Sequence, residues 1–390
     1  MQIVFVVDTV QPSNGVATSA QRAAVMLRER GHRVKVVATD GDLKNPSSGW
    51  ISAAAPDPAD QFIARPWRIP VVEWFSRPQH FTFATPDRDL LRRAFEGADV
   101  VHIWLATPFG HLAMELADEI GIPVSAGFHV QPENISYNLW LGRRPATIDF
   151  IYRVMREKFY DQVEHIHCPS KFIATQLEEH GYRATLHVIS NGVTPAFRPP
   201  EHKNEWTLGC GRPFRIMSVG RLSPEKRHTL LIDAVAKSTY RDQIELEVAG
   251  RGPDRMRLKA HALRLKNPLR LSYYPQPDLV AKLQAADLYV HPADAEIEAV
   301  ACLEAIACGL VPVIADSPRS AASQFALDER SLFPTNKRAA LTRAIDWWIE
   351  RPEERAAMSP RYAEHAQHFT IARSAELFEQ MLNDAVEDGR

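Results

Sequence analysis

Long apolar runs are missing from this sequence of 390 residues. No stretch approaches the roughly 18 consecutive apolar residues of a membrane-spanning helix, so we expect no transmembrane segment. The first apolar run stops at Asp8 without a charged leader, which favours a buried strand over a signal peptide. Charge of one sign is not in excess either, with 46 basic against 48 acidic residues. The overall charge therefore does not indicate a nucleic-acid partner.

Cysteine is scarce as well. The four cysteines form no C-x-x-C pair, so we predict no structural zinc site and expect reduced thiols in a cytoplasmic protein. Internal repeats and low-complexity tracts are also missing, as are a Walker loop and a convincing Ser/His/Asp order. The length allows two domains of ordinary size, each with its own hydrophobic core.

Apolar strands and amphipathic helices alternate along both halves of the chain, which predicts an α/β protein. The periodicity is lost between Thr194 and Arg212, where Pro, Lys, Glu and Gly dominate, and this stretch is typical of a linker. We therefore predict two Rossmann-like domains with doubly wound parallel sheets, at residues 1–195 and 196–368. A final helix in 369–390 is expected to cross back to the first domain. Since such sheets bind ligands at their carboxyl edges, two facing sheets predict a site in the cleft between them.

An acidic motif stands out in the second half, HPADAEIEAVACLEAIACGLVPVIA at residues 291–315. Glu296 and Glu304 lie eight positions apart, in a loop and in the buried helix that follows it. A helix N-terminus offers N–H groups to an anion, and carboxylates accept hydrogen bonds from hydroxyls. A nucleotide sugar has both groups. The alternative is a surface helix with solvated charges, but its apolar neighbours leave little room for a solvated face. The candidate binding residues around the glutamates are Ile297, Glu298, Ala299 and Val300.

Two cations follow a strand in the same half, within Ser218-Val219-Gly220-Arg221-Leu222 and Pro224-Glu225-Lys226. Gly220 is expected to let the chain turn there. The planar fork of Arg221 and the point charge of Lys226 suit a diphosphate, although two ordinary surface cations would give the same pattern. Two further glycine loops, at Gly15 and Gly250, also follow strands.

Together these segments resemble the retaining glycosyltransferases of family 4, which have the GT-B fold. The two glutamates are similar to the family's E-x7-E motif, and residues 220–226 are similar to its G-R-L-x-x-x-K element. The resemblance implies that Arg221 and Lys226 hold the diphosphate, that Glu304 binds the ribose and that Glu296 binds the sugar hydroxyls. No protein base is implied, because a leaving-phosphate oxygen takes the acceptor proton in front-face attack.

Further roles follow from the same resemblance. It implies that Gly15 closes over the phosphates, that Gly250 and Tyr273 lie near the nucleotide base, and that His129 contacts the sugar near its reacting carbon. The chain departs from the family at Ile297-Glu298-Ala299, where Pro-Phe-Gly is usual, and at Asn14, where a second glycine is usual. The first departure shapes the sugar pocket, so the sugar's identity is not carried over.

The segment Phe128-His129-Val130-Gln131-Pro132-Glu133-Asn134 resembles the subset that glycosylates diacylglycerol. The resemblance thus implies UDP-glucose as donor and diacylglycerol as acceptor, with no other cofactor. The alternatives are a GDP-mannose enzyme, a soluble acceptor, or a non-catalytic module that binds sugar nucleotides. The acceptor candidates are Gln131, Glu133 and Asn134.

Basic residues interleave with aromatic ones between Leu139 and Tyr160, which suits an anionic membrane surface. We predict peripheral binding to the inner face of the plasma membrane, although a core-facing helix with solvated charges shows the same pattern. The basic candidates are Arg143, Arg144, Arg153 and Arg156. No metal is expected, because Asp87-Arg88-Asp89, formally a D-x-D motif, stands at a predicted helix start where an N-cap acid is ordinary.

Overall fold

The computed structural model describes the chain apart from residues 11–13, 40, 43–44, 47–49, 69–80, 134, 136–143, 203–204 and 390. Residues 41–42, 45–46 and 50 are described by their backbone only. The described chain forms two compact units. The first combines Met1–Asn191 with Ile371–Arg390, and the second is Gly192–Thr370.

Each unit is built on one parallel sheet. Among the described residues the first sheet has seven strands in the order β5-β2-β1-β6-β7-β8-β9, and the second has six in the order β12-β11-β10-β13-β14-β15. A short antiparallel ribbon joins β3 to β4. The strands are β1 (Gln2–Val7), β2 (Arg33–Thr39), β3 (Gly41–Asp42), β4 (Asn45–Pro46), β5 (Gln61–Ala64), β6 (Val100–Ile103), β7 (Val124–Gly127), β8 (His165–Cys168), β9 (Thr185–Val188), β10 (Phe214–Val219), β11 (Ile244–Ala249), β12 (Arg270–Ser272), β13 (Leu288–His291), β14 (Pro312–Asp316) and β15 (Leu332–Pro334).

Helices connect the strands, as parallel neighbours require crossover connections. In the described residues they are α1 (Gly15–Glu29), α2 (Trp50–Ala54), α3 (Arg88–Phe95), α4 (Pro108–Ile120), α5 (Pro145–Lys158), α6 (Lys171–Glu179), α7 (His228–Val235), α8 (Arg255–Ala262), α9 (Gln276–Gln284), α10 (Val300–Ala307), α11 (Arg338–Glu350), α12 (Pro352–Ala366) and α13 (Ile371–Asp388). Short 3₁₀ turns lie at Pro58–Asp60, Tyr160–Gln162, Pro224–Lys226, Ala321–Phe325, Glu329–Ser331 and Gln367–Phe369. None of the described helices is both long and apolar enough to cross a membrane.

The central strands are apolar on both faces because helices cover both sides of a parallel sheet. Residues 3–7 of β1 are fully buried, and so are the four residues of β13. The last helix, α13, contributes Phe378 and Met381 to the core around Ile3 and Phe5 in the first unit. The carboxyl ends of the strands in each unit therefore lie on one edge, where the candidate site residues follow.

Part of the predicted linker is packed rather than loose. Phe197 and Trp206 are buried in the core of the second unit. The indole of Trp206 donates to the carbonyl of Arg212 at 2.9 Å, and buried Arg355 donates to the carbonyl of Trp206 at 2.7 Å. The expectation of a linker across Thr194–Arg212 was wrong for these residues, because two large apolar side chains anchor a stretch whose composition is otherwise polar.

Candidate active site

The loop that carries Glu296 is fixed by a buried carboxylate, Asp294. This side chain is fully buried and accepts hydrogen bonds from Arg319 Nη2 at 2.6 Å, Thr335 Oγ1 at 3.0 Å and Ser317 Oγ at 3.2 Å. The amide of Glu296 also donates to the carbonyl of Arg319 at 3.3 Å. Asp294 thus ties the loop after β13 to the segment after β14. Sequence reasoning missed it, although an acid two positions before Glu296 in an apolar stretch was a usable signal.

Glu296 and Lys226 meet at the carboxyl edge of the second sheet. Lys226 Nζ forms an ion pair with Glu296 Oε1, and the two side chains keep 16% and 13% of their surface exposed. His291 Nε2 lies 3.1 Å from the same oxygen. With Nε2 donating, His291 Nδ1 accepts from the hydroxyl of Tyr289 at 3.1 Å. A chain of polar contacts therefore runs from the end of β13 to the turn after β10.

This surrounding keeps the Glu296 carboxylate ionised. Burial alone would raise its pKa, but the charge of Lys226 and the hydrogen bond from His291 outweigh burial and lower the pKa to about 2. His228, which is buried beside Lys226, responds in the opposite way. Burial and the nearby Lys226 lower its pKa to about 3, so its ring is uncharged at neutral pH.

Arg221 has a carboxylate partner of its own. Its Nη2 lies 3.2 Å from Glu225 Oε1, and Glu225 is almost fully buried while Arg221 is 30% exposed. The hydroxyl of Ser223 donates to the same oxygen. Glu225 therefore holds the guanidinium of Arg221 in place, a positioning role that sequence reasoning did not assign to it.

A glycine turn lies against the Arg221 loop. A Cβ at Gly250 would lie 1.9 Å from the carbonyl oxygen of Gly220, so only glycine fits there. Gly220 itself has no left-handed φ, and the chain bends at this residue. The neighbouring Arg251 guanidinium stacks over the ring of Tyr273 at 3.9 Å, and this tyrosine is 47% exposed.

The N-terminus of α10 begins beside Glu296 without a side-chain cap. Ala299, at the cap position, has a left-handed backbone with φ 71° and ψ 50°. Ile297 is half-buried, Glu298 is buried, and Val300 is half-buried at the first helical position. Glu304, one turn further on, is 9% exposed and faces away from bulk solvent. The uncapped amides at the start of a helix attract anions.

In the first unit, His129 follows β7 at the carboxyl edge of the sheet. Its ring stacks on Trp104 with centroids 4.9 Å apart and lies 4.8 Å from His167. Burial, with His167 and His102 nearby, holds the pKa of His129 well below its ordinary value. Its Nε2 is buried and has no hydrogen-bond partner among the described residues. A Cβ at Gly127 would lie 2.5 Å from the ring, so this glycine makes room for His129.

Comparison with known proteins places these features in a family. Residues 13–197 match the model of Glycosyltransferase Family 4, and residues 204–365 match that of Glycosyl transferases group 1. The chain is a GT-B glycosyltransferase that combines a family 4 domain with a group 1 domain. The family and the fold predicted from the sequence are both confirmed.

Relatives of this glycosyltransferase act on different substrates. It is 28% identical to the alpha-monoglucosyldiacylglycerol synthase of Streptococcus pneumoniae, over 81% of this chain and 71% of that protein. It is 27% identical to a GDP-mannose-dependent alpha-mannosyltransferase of Mycolicibacterium smegmatis, over 81% and 79% of the two chains. The structure of HepE from Anabaena in complex with UDP has a TM-score of 0.75 at 18% identity, covering 98% of this chain and 100% of that chain.

The first glycine loop of the glycosyltransferase lies at the start of α1. Gly15 is exposed at the start of α1. Apart from its chain neighbours and the backbone of its own helix, no described atom lies within 4 Å of the position that a Cβ would take there. Asn14 caps the helix, and its Oδ1 accepts from the amides of Val16 at 3.0 Å and Ala17 at 3.2 Å. The side chain of Asn14, where a second glycine is usual in the family, therefore binds two amides at the start of α1.

The acceptor candidates of the enzyme fall into two groups. Gln131 and Glu133 are buried, and Tyr152 donates to Glu133 at 3.3 Å. Arg153 is exposed on α5, and Arg144 is exposed at the residue just before this helix. Arg156 instead donates to the carbonyl of His180 at 2.9 Å and lies 3.6 Å from Asp161, so it is engaged within the unit. Two other predicted residues lie outside the described residues: Asn134 and Arg143.

The remaining predictions concern metals and thiols. Asp87 caps α3 by accepting from the amide of Leu90 at 3.0 Å, as expected of an N-cap acid. No group of three or more possible metal ligands occurs among the described residues. The four cysteines are free thiols, and Cys210 is exposed while the other three are buried.

Proposed function

We propose that this glycosyltransferase transfers a hexose from a nucleotide sugar to a lipid hydroxyl, with retention of the anomeric configuration. The observation that carries the proposal is the Lys226–Glu296 ion pair, set beside Arg221 at the carboxyl edge of a parallel sheet. UDP-glucose is the proposed donor and diacylglycerol the proposed acceptor. The similarity to a synthase of monoglucosyldiacylglycerol supports the glucosyl group and the diacylglycerol acceptor.

In this proposal the second unit binds the donor. Arg221, Lys226 and the uncapped start of α10 hold the diphosphate, whose negative charge grows as the glycosidic bond breaks. Fixed cations and oriented amides stabilise such charge with little reorganisation. The ionised Glu296 accepts hydrogen bonds from sugar hydroxyls, and Glu304 accepts them from the ribose. Gly250 and Tyr273 are proposed to lie at the base, and Gly15 at the phosphates.

His129 is proposed to hydrogen-bond the sugar near its reacting carbon. Its low pKa keeps the imidazole neutral, so the ring can donate from one nitrogen without adding a positive charge. Trp104 and Gly127 fix the plane of the ring. No protein base is required, because an oxygen of the leaving diphosphate takes the proton of the acceptor hydroxyl.

The lipid acceptor implies contact with a membrane, and α5 is the proposed surface in the first unit. Phe150 and Val154 are 54% and 37% exposed on this helix. The Arg153 guanidinium lies 5.5 Å from the centroid of the Phe150 ring. Exposed apolar side chains beside arginines suit an anionic bilayer interface. The proposed location is peripheral, at the inner face of the plasma membrane.

A second candidate keeps the reaction and changes the donor to GDP-mannose. It is favoured by the similarity to a GDP-mannose-dependent enzyme, whose coverage is as broad as that of the glucolipid synthase. The chain departs from the family at Ile297-Glu298-Ala299, beside Glu296, where the donor sugar is proposed to bind. Because this departure shapes the sugar pocket, the family resemblance does not favour either sugar.

A donor screen followed by product analysis tests the proposal. The melting temperature should rise with UDP-glucose more than with GDP-mannose or ADP-glucose, because binding to the native state stabilises it. Incubation with UDP-glucose and detergent-solubilised diacylglycerol should then give a glucosyl lipid whose anomeric proton coupling is that of an α-linkage. Donor binding without a lipid product would contradict the assignment of diacylglycerol as the acceptor. A β-linkage in the product would contradict transfer with retention.

The role of α5 is tested by vesicle binding. The double variant Arg144→Glu/Arg153→Glu should sediment less with phosphatidylglycerol vesicles than the wild type, since each basic residue near such a surface contributes about 1 kcal/mol. Arg92→Glu/Arg93→Glu on α3 is the matched control, because both arginines are exposed in the same unit. Equal sedimentation of the α5 variant and the control would remove α5 as a membrane surface.

A further inference from the structure

A second basic surface lies in the other unit, on α8 and the segment that follows it. Residues 255–270 read RMRLKAHALRLKNPLR and contain six lysines or arginines without any aspartate or glutamate. All six cations are exposed. None of these residues belongs to the candidate active site described above.

Carboxylates from neighbouring elements compensate only part of this charge. Asp233 of α7 lies 2.7 Å from Arg264, Glu245 of β11 lies 3.6 Å from Arg270, and Asp254 lies 3.8 Å from Arg257. The other three cations have no ion pair among the described residues: Arg255, Lys259 and Lys266. Two of these cations, Arg255 and Lys259, lie on α8 four positions apart and therefore on the same side of the helix.

The same side also exposes large apolar groups. Leu263 is 88% exposed and Met256 is 71% exposed, while Leu258 is buried beneath them in the core. Single exposed apolar side chains are ordinary on protein surfaces. Here, however, Met256 and Leu263 are seven positions apart and so lie on one face of the helix, beside Lys259.

A groove lies between α8 with the following Leu263 on one side and residues 268–271, which lead into β12, on the other. Its volume is about 390 Å³, which is within the range of small-molecule sites. Two cations, Arg255 and Lys259, stand on the wall that α8 provides. The rest of the lining is apolar: Ala262, Leu263, Pro268, Leu269 and Leu271. This combination of cations and apolar side chains is complementary to a phospholipid, in which a phosphate headgroup is attached to acyl chains.

We infer that this face of the second unit, defined by Arg255, Met256, Lys259 and Leu263, binds the surface of an anionic phospholipid bilayer. The cations bind lipid phosphates, and the two apolar side chains enter the interface between headgroups and acyl chains. A nucleic acid or an acidic protein would also satisfy the cations. A bilayer offers phosphates and acyl chains in one surface and so matches the cations and the two apolar side chains together, which is why the bilayer is favoured.

The inference goes beyond the proposed function, because α5 and the acceptor candidates belong to the first unit, whereas this surface belongs to the second. It adds a separate membrane contact in the unit that is proposed to bind the donor. Its test can succeed or fail independently of the identity of the donor or acceptor.

Co-sedimentation of the full-length protein with vesicles tests the charges. Arg255→Glu/Lys259→Glu should lower partitioning onto phosphatidylglycerol vesicles at least roughly tenfold at low salt, with less effect as salt rises. Arg338→Glu/Arg343→Glu is the matched control, since both arginines are exposed on α11 of the same unit. The control should change partitioning by about twofold or less, because distant charges are screened. Equal losses in the two variants would overturn the inference.

Two further measurements test the apolar contact. Met256→Gln/Leu263→Gln should also weaken vesicle binding, whereas Leu208→Gln, at a leucine 67% exposed in the same unit, should not. In a Cys210→Ser background, which removes the exposed thiol, a bimane label on Leu263→Cys should shift its emission to the blue when phosphatidylglycerol vesicles are added. The same label on Leu208→Cys should not shift. An unshifted label at position 263, or full binding by the glutamine double variant, would show that the apolar groups stay in water and would overturn the inference.

A transfer assay in detergent distinguishes a membrane-binding role of Arg255 and Lys259 from a role in catalysis. Transfer to detergent-solubilised diacylglycerol should be unchanged in Arg255→Glu/Lys259→Glu, because the acceptor is then supplied without a bilayer. Loss of transfer in detergent by this variant, with its fold intact, would assign the cations to substrate binding instead of membrane binding. If wild type makes no lipid product but its vesicle binding still depends on this surface, the proposed function fails and the inference stands.

Discussion

Lys226 forms an ion pair with Glu296 across 70 positions of the sequence, and the contact joins the two motifs that first indicated a binding site. Both side chains are largely withdrawn from water. Removing one partner of such a pair leaves the other charge without compensation, which is more costly than the loss of a surface salt bridge. The pair is therefore expected to affect both stability and catalysis.

The stability of the second unit should depend on pH through Glu296. Its pKa is about 2 in the folded protein against an ordinary value of 4.5. A lowered folded-state pKa gives a contribution that is complete above pH 4.5 and is lost as the pH falls toward 2. On the order of 2–3 kcal/mol is expected to disappear across that window.

Urea unfolding between pH 3 and pH 6 measures this contribution. The free energy of unfolding should differ most between wild type and Glu296→Gln at pH 6, and the difference should decrease as the pH falls toward 3. Glu329→Gln, at an exposed carboxylate, is the control and should follow the wild-type profile. A constant difference between wild type and Glu296→Gln across the range would contradict the lowered pKa.

Arg221 and Lys226 should contribute to the rate of transfer to a similar degree. Arg221→Ala or Lys226→Ala is expected to lower transfer roughly 100-fold or more, because each removes charge that stabilises the leaving diphosphate. Arg227→Ala is the matched control, since this adjacent arginine contacts Asn336 and has no assigned role at the phosphates. Steady-state rates with thermal unfolding as a fold check measure the effect. Wild-type turnover in both active-site variants would remove the diphosphate assignment.

Activity should not require a divalent metal. Arg221, Lys226 and the start of α10 already provide positive potential for the diphosphate in the proposed arrangement. Rates measured in EDTA should equal those measured with Mg²⁺ or Mn²⁺. Full loss in EDTA that is restored by either ion would show that the proposed cations are insufficient.

The position of His129 should depend on the missing side chain at Gly127. Gly127→Ala would place a Cβ 2.5 Å from the imidazole, so the ring must move. We expect a loss of transfer approaching that of His129→Ala. If Gly127→Ala acts through His129, the variant that carries both substitutions should have the same kcat as His129→Ala alone. A double-mutant cycle on kcat makes this comparison. Additive losses would show that Gly127 acts independently of the histidine.

The sequence predicted the parts of the site that lie at strand ends. Glu296, Arg221 and His129 each follow an apolar strand, and the carboxyl ends of parallel strands share one edge. Their buried partners were not predicted. Asp294 and Glu225 are carboxylates whose function depends on which distant donors the fold brings to them, and no local pattern encodes that pairing.

Surface and cap residues show the same limit. The sequence placed Arg156 with the membrane arginines, but the structure engages it with Asp161 and the carbonyl of His180. Asn14 was recognised as a departure from a glycine, whereas its action as a helix cap emerged only from the geometry. In both cases the residue type was compatible with two roles, and tertiary contacts selected one.

Ala299 should be a site where glycine stabilises the enzyme. Its φ of 71° lies in the left-handed region, which costs a residue with a Cβ about 1–2 kcal/mol. Glycine avoids that cost but loses more chain entropy on folding, about 0.5–1 kcal/mol. The net effect of Ala299→Gly is therefore expected to be a gain of up to roughly 1 kcal/mol in the free energy of unfolding.

Urea unfolding of two glycine variants makes this comparison sharp. Ala301→Gly, two positions later inside α10, should destabilise by about 1 kcal/mol, because glycine is a poor residue in a helix. Opposite signs at the two positions would identify the left-handed backbone as the cause. Destabilisation at both would mean that Ala299 is not strained.

Strain is commonly retained next to functional sites, and Ala299 precedes the helix that is proposed to bind the diphosphate. Glycine adopts the same left-handed backbone, so we expect Ala299→Gly to leave donor binding intact. Calorimetric titration with UDP-glucose checks whether the added backbone freedom weakens it.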